Sequence, residues 1–130
     1  MARSAPDRPH YYVLIDRRPV PLADNDVLAW AAAFENIDNR HVANTKVHGV
    51  CVSTVFIGID MNWFGTGPPI LFETMVFGGA LDGRQLRCST WEEAEIQHEF
   101  VVSAVKLQFA AESKTAEDIE ILERMMKDKR

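Results

Sequence analysis

Three residues of this 130-residue chain combine side-chain type and setting in a way that could support acid–base chemistry: Glu73, His98 and Asp60. Glu73 sits in the apolar run Ile70 to Phe77, where strand alternation places it on one face with Leu71, Met75 and Phe77. A carboxylate on such a face needs a hydrogen-bonding or cationic partner, or its pKa rises. It is therefore either half of a structural ion pair or a general acid/base or ligand contact. His98 shares a helical stripe with Trp91, Ala94, Val101, Val105 and Phe109, so its imidazole points toward the sheet. It is either a satisfied core residue or, if that helix packs on the face of Glu73, the second member of an acid–base pair. Asp60, at the end of the strand before Glu73, would orient the pair or help to hold a metal. Arg87 is a cation on the strand that returns after Glu73. If Asp82-Gly83 forms a two-residue hairpin turn, however, Arg87 lies across from Gly78, about 17 Å along the strand from Glu73.

No nucleophile or metal motif accompanies these residues. HExxH, GxSxG and P-loop patterns are absent, so a hydrolase-like reading based on Glu73 and His98 names no reaction, and the balance leans away from an enzyme. Cys51 and Cys88 form neither a CxxC nor a zinc pattern and read as buried free thiols of a reduced, intracellular protein. His41 and His48 fall on opposite faces of one strand and cannot share a metal, and the sequence calls for no metal or cofactor.

Binding has better material. The loop Met61 to Pro69 is longer than a hairpin needs, and its Asn62, Trp63 and Phe64 either lid the core or face a partner, with Arg87 a further binding candidate. A formal charge of -5 and the lack of a Lys/Arg stripe argue against nucleic acid held through its phosphates. An acidic face of Glu92, Glu95 and Glu99 would suit a basic protein. The start of the sequence lacks a signal-peptide apolar region, and no run approaches the roughly 18 apolar residues of a membrane span, so a cytoplasmic protein without membrane contact is expected.

The elements that must position these residues define an α+β domain, with a mainly antiparallel sheet made of a hairpin and a meander, two helices, and a C-terminal amphipathic helix. Residues 1–10 read as a mobile tail, 11–111 as the domain, and 112–130 as a helix for docking or self-association. Tyr11 to Ile15 and Val20 to Leu22 flank a turn at Asp16 to Pro19. Asp24 is the expected cap of a helix carrying Val27, Leu28, Ala31 and Phe34, widened by Trp30 and ending near 36–39. Residues 40–48 alternate as an outer strand, and Val50 to Ile59 reads as a central strand buried on both faces. Ser89 with Glu92 and Thr90 with Glu93 offer two overlapping capping boxes. Ile119, Leu122 and Met126 form a stripe too short and polar to stand alone, fit for the domain itself, a second copy or a partner.

STVFIGID at 53–60, PPILFETMVFGG at 68–79 and RCSTWEEAEIQH at 87–98 together resemble a group of short proteins encoded by tailed bacteriophages and prophages. That group is of uncharacterised function, so the resemblance implies a phage setting and no activity. The group often carries a His directly after the residue matching Asp60, where this chain has Met61. The reading preferred here is a non-catalytic phage accessory protein that binds a host component, a defence protein or a small signalling nucleotide, in the bacterial cytoplasm. The alternatives are the Glu73/His98 enzyme and a virion or assembly component that oligomerises through its terminal helix.

Overall fold

The computed structural model describes residues 8–23, 26–35 and 37–128. It is an α+β fold: β1 (Tyr12–Ile15) and β2 (Arg18–Pro21) form a two-stranded sheet, and β3 (His41–Val47), β4 (Val50–Phe56), β5 (Phe72–Phe77) and β6 (Gln85–Cys88) form a four-stranded antiparallel meander in that order. A short helix α1 (Val27–Ala33) follows the hairpin, and a long helix α2 (Trp91–Asp128) closes the chain.

The hairpin turns through Asp16 and Arg17, both at positive φ, which suits the twist of a tight two-residue connection. The expected cap Asp24 and residues 1–7 of the expected tail lie outside the described residues. Arg8 to His10, also read as tail, are held against the domain: Arg8 pairs with Asp60, and the His10 carbonyl accepts from the Asp60 N–H. The side chain that caps α1 is Asp26, which accepts from Ala29 N–H at 3.1 Å.

The expected buried stripe of α1 is corrected. Val27 and Leu28 are exposed, and the helix is anchored by Trp30 and Phe34. Trp30 donates to the Gly58 carbonyl, and Gly58 has φ +79 with Phe34 and Trp30 so close that a Cβ there would overlap them. From Trp30 a line of ring contacts runs through Phe34, Phe56 and Phe72 to Trp91, linking α1 across the sheet to the start of α2.

α2 covers one face of the meander. Its entry uses the Thr90 box: Thr90 Oγ1 accepts from Glu93 N–H, and Glu93 Oε1 accepts from both Thr90 and Ser89 N–H. Val52, Thr54 and Phe56 of β4 face the helix and are fully buried, whereas Cys51, Ser53 and Val55 on the other face are only half-buried. The expectation of a strand buried on both faces is thus corrected, because one layer of helix covers one side of the sheet. The core has two parts, one around Val47, Val52, Val76, Val101 and Val105, the other around Tyr12, Phe56, Leu71, Phe72 and Ala94. No helix among the described residues is long and apolar enough to cross a membrane.

Candidate functional site

The three acid–base candidates are held apart and individually committed. Glu73 lies in β5 opposite Arg87 of β6, with Arg87 Nε 3.0 Å from Glu73 Oε2. This corrects the expected separation. The connection between the strands runs from Gly78 to Arg84, tied by Asp82 Oδ1 accepting from Gly78 N–H and by Gly83 N–H donating to Val76 O, and its length moves the register until the two residues face each other. Glu73 also occupies the half-open face of the sheet, since Phe72, Thr74 and Val76 are the inward residues of β5. His98, on the helix covering the inward face, therefore cannot meet it.

His98 is 1% exposed and built into a line of polar groups that crosses the sheet. Gln97 Nε2 donates to the Leu86 carbonyl at 3.1 Å and to Thr74 Oγ1 at 3.0 Å. Thr74 and Thr54 hydroxyls lie 2.7 Å apart, Thr54 Oγ1 is 2.7 Å from His98 Nδ1, and Thr45 Oγ1 is 2.8 Å from His98 Nε2. Every strand of the meander contributes one group. The Leu86 carbonyl fixes the Gln97 amide, so Thr74 accepts from it. The threonine hydroxyls can each donate or accept, so both ring nitrogens are bonded in either neutral tautomer of His98, whereas an imidazolium would donate from both nitrogens and leave no threonine donating to the ring. Burial likewise holds the His98 pKa below its ordinary value, with Glu99 pulling weakly the other way. A solvent-sealed imidazole already bonded at both nitrogens holds helix to sheet and has no free position for a substrate proton.

Asp60 is 4% exposed and organises a loop. Its Oδ1 accepts from Asn62 N–H at 2.8 Å and Ile70 N–H at 3.0 Å, and its Oδ2 accepts from Arg8 Nε at 2.6 Å. Asp60 thus orients loop backbone instead of an acid–base pair. Asn62 completes the frame: its Oδ1 accepts from Phe64 N–H, and its Nδ2 donates to the carbonyls of Thr66 and Pro68. Arg8 Nη2 reaches the Gly67 carbonyl at 3.0 Å, and Gly65 and Gly67 take the positive-φ positions that the turns require. At the tip of this tied frame Trp63 is 72% and Phe64 87% exposed. Beside them a hollow of about 220 Å³ is lined by Arg8, His10, Asp60, Asn62 and Trp63. Nearby, burial raises the Tyr12 pKa, with Asp60 adding to the effect and Arg8 opposing it.

The other predicted residues sit elsewhere. Glu92, Glu95 and Glu99 are exposed on α2, and Ile119, Leu122 and Met126 are exposed on its distal half. Cys51 and Cys88 are unpaired and half-buried, a partial correction of the fully buried reading. The Cys88 thiol is pushed up to about 11 by burial and by Glu93, against an opposing backbone hydrogen bond to Thr90, so it is a poor nucleophile at neutral pH. Among the described residues no cluster of three or more His, Cys, Asp or Glu is arranged to hold a metal ion. Sequence reasoning missed Arg8, Thr45, Thr54, Thr74 and Gln97. The threonines carried a usable signal, since each takes an inward position of its strand and an inward histidine needs partners.

No protein-family model, curated protein or solved structure matches the chain.

Proposed function

We propose that this chain is a non-catalytic binding protein that engages a protein partner through the loop at 60–70, with Trp63 and Phe64 as the anchoring side chains. The observation that carries this reading is the contrast between the loop's frame and its tip. Asp60, Asn62 and Arg8 tie the backbone through hydrogen bonds, and the tied backbone holds two large aromatic side chains out in water. Aromatic residues on a pre-ordered loop lose little conformational freedom on association and dominate binding energy when they enter a partner's pocket. Commitment of Glu73, His98 and Asp60 to separate structural contacts argues against the acid–base alternative. If the resemblance to phage-encoded proteins holds, the partner is a protein of the bacterial host.

The test uses the full chain as bait in host lysate, beside Trp63→Ser/Phe64→Ser and Glu73→Gln variants. The expected result is one host protein retained in stoichiometric amount by the wild type and by Glu73→Gln, and lost by the loop variant at unchanged melting temperature. Retention of the same protein by the loop variant would reject this site.

A further inference from the structure

The four-stranded sheet ends in two edges that are built differently. Neither β3 nor β6 has a strand beyond it among the described residues, so each presents a row of backbone N–H and C=O groups that another strand can use. β3 is defended: Lys46 is exposed along it, and its register shifts between His41 and Ala43. β6 runs in unbroken register with β5 and carries neither a lysine nor a bulge, and its Arg87 is held on the outer face by Glu73. Beside β6 lies a hollow of about 240 Å³, lined by Leu86 of β6, Leu81 of the preceding connection, and Phe100 and Ala104 of α2. Leu86 is 44% and Phe100 67% exposed, and the exposed Ile96 and Leu107 extend this apolar surface in both directions along α2. The only charged side chain lining the hollow is Arg84. Ion pairs among the described residues engage Arg8, Arg87 and Arg124 but not Arg84, whose guanidinium has no carboxylate partner there.

We propose that β6 is a docking edge for an extended peptide segment of a partner protein, which adds a strand to the sheet and carries a large apolar residue two positions from an aspartate or glutamate. The open edge calls for an extended backbone, since a strand is what pairs with its row of donors and acceptors. The spacing follows from the pleat. Leu86 stands opposite Thr74, an inward residue, and Arg84, whose carbonyl accepts from Val76 N–H, lies two positions earlier on the same face. In an added strand the residues alongside Leu86 and Arg84 are therefore also two apart, and both turn toward α2. The first enters the hollow between Leu86, Phe100 and Ala104, which has room for one large apolar side chain. The second meets the Arg84 guanidinium, where a carboxylate is the favoured group. The residue between them turns to the outer face, where Glu73 and Arg87 already satisfy one another. In a chain of net charge -5, a hollow whose one charged group is a cation selects an acidic residue over a basic one. This site shares no residue with the loop at 60–70.

Fluorescence anisotropy on the full chain tests this with a labelled, end-capped peptide of threonines that carries Phe and Asp two positions apart. Saturable binding with a Kd on the order of 100 μM is expected. Phe100→Ser should weaken it by about tenfold, at unchanged melting temperature because that side chain is mostly exposed. Arg84→Glu should weaken it severalfold and make the peptide with Lys in place of Asp the better ligand. Trp63→Ser/Phe64→Ser should bind the peptide as the wild type does, which separates this site from the loop. Methylating the peptide amides that face one edge should abolish binding, and methylating those that face the other should leave it intact, as one-sided strand pairing requires. Absence of binding at millimolar peptide, equal binding of the Lys peptide by the wild type, or binding indifferent to methylation of either set of amides would overturn the proposal.

Discussion

The two faces of the four-stranded sheet carry polar side chains under different conditions. On the face toward α2, Thr45, Thr54 and Thr74 meet His98 and Gln97 in one connected line, with Thr54, Thr74 and His98 sealed from solvent. On the other face Glu73 and Arg87 pair with 20% and 35% of their side chains still exposed. A buried polar group left without a partner costs its full desolvation energy, so the inner line works only when complete. The outer pair has water as an alternative partner and can be lost cheaply. The inner line also guards register, because a slip of one residue in any strand would turn its threonine outward and leave its neighbours unsatisfied.

The largest effect that would sharpen this contrast comes from the apolar part of the inner face. Phe72 is fully buried, with ring centroids 5.3 Å from Phe56 and 6.3 Å from Trp91. Phe72→Ala should cost about 3–5 kcal/mol in urea unfolding, a large share of the stability of a domain this size. A loss below about 1 kcal/mol would mean that the aromatic line is not the centre of the core.

A smaller effect, with a diagnostic pH signature, belongs to His98. Its pKa is lower in the folded chain than the ordinary 6.5, so the unfolded chain binds the proton more tightly. Stability from this group is complete above pH 6.5 and declines as the pH falls from there to the folded pKa, below which the loss levels off. His98→Leu should destabilise by about 1–3 kcal/mol at neutral pH, through the unsatisfied threonine hydroxyls. It should also flatten the pH dependence of unfolding between neutrality and mildly acid conditions. An unchanged slope in the variant would show that the line of bonds does not hold the imidazole neutral.

Much of the fold was legible because its signals are local. The Thr90–Glu93 capping box, the strand runs and the inward stripe of α2 each lie within a few residues of sequence. What was illegible depended on distance or on irregular backbone. Arg8 reaches Asp60 from a segment that looks like tail, and no local pattern announces a partner so far along the chain. The face of Glu73 was misjudged because Leu71 and Phe72 are adjacent and both fully buried. Leu71 precedes β5 in an irregular stretch, so counting alternation from it assigns every later residue to the wrong side. The seven-position turn sequence Gly78 to Arg84 hid behind a strong Asp-Gly hairpin signal, whose Asp82 instead braces the Gly78 N–H. Trp63 and Phe64 lack a periodic setting, and their outward direction is decided by bonds that Asp60 and Asn62 make to the backbone around them.

The smallest effect is expected where the sequence drew most attention. Glu73→Gln removes the charge from the outer face while keeping the shape of the side chain, and Arg87 retains both solvent and an amide oxygen as acceptors. The change in unfolding free energy should stay below about 1 kcal/mol and shrink further at high salt, since the pair is partly exposed. Arg87→Ala should behave alike, and the double variant should differ from the sum of the two by a few tenths of a kcal/mol, or about the size of the pair itself. If Glu73→Gln instead cost as much as His98→Leu, the outer face would have to be as closed as the inner one, covered by something beyond the single chain.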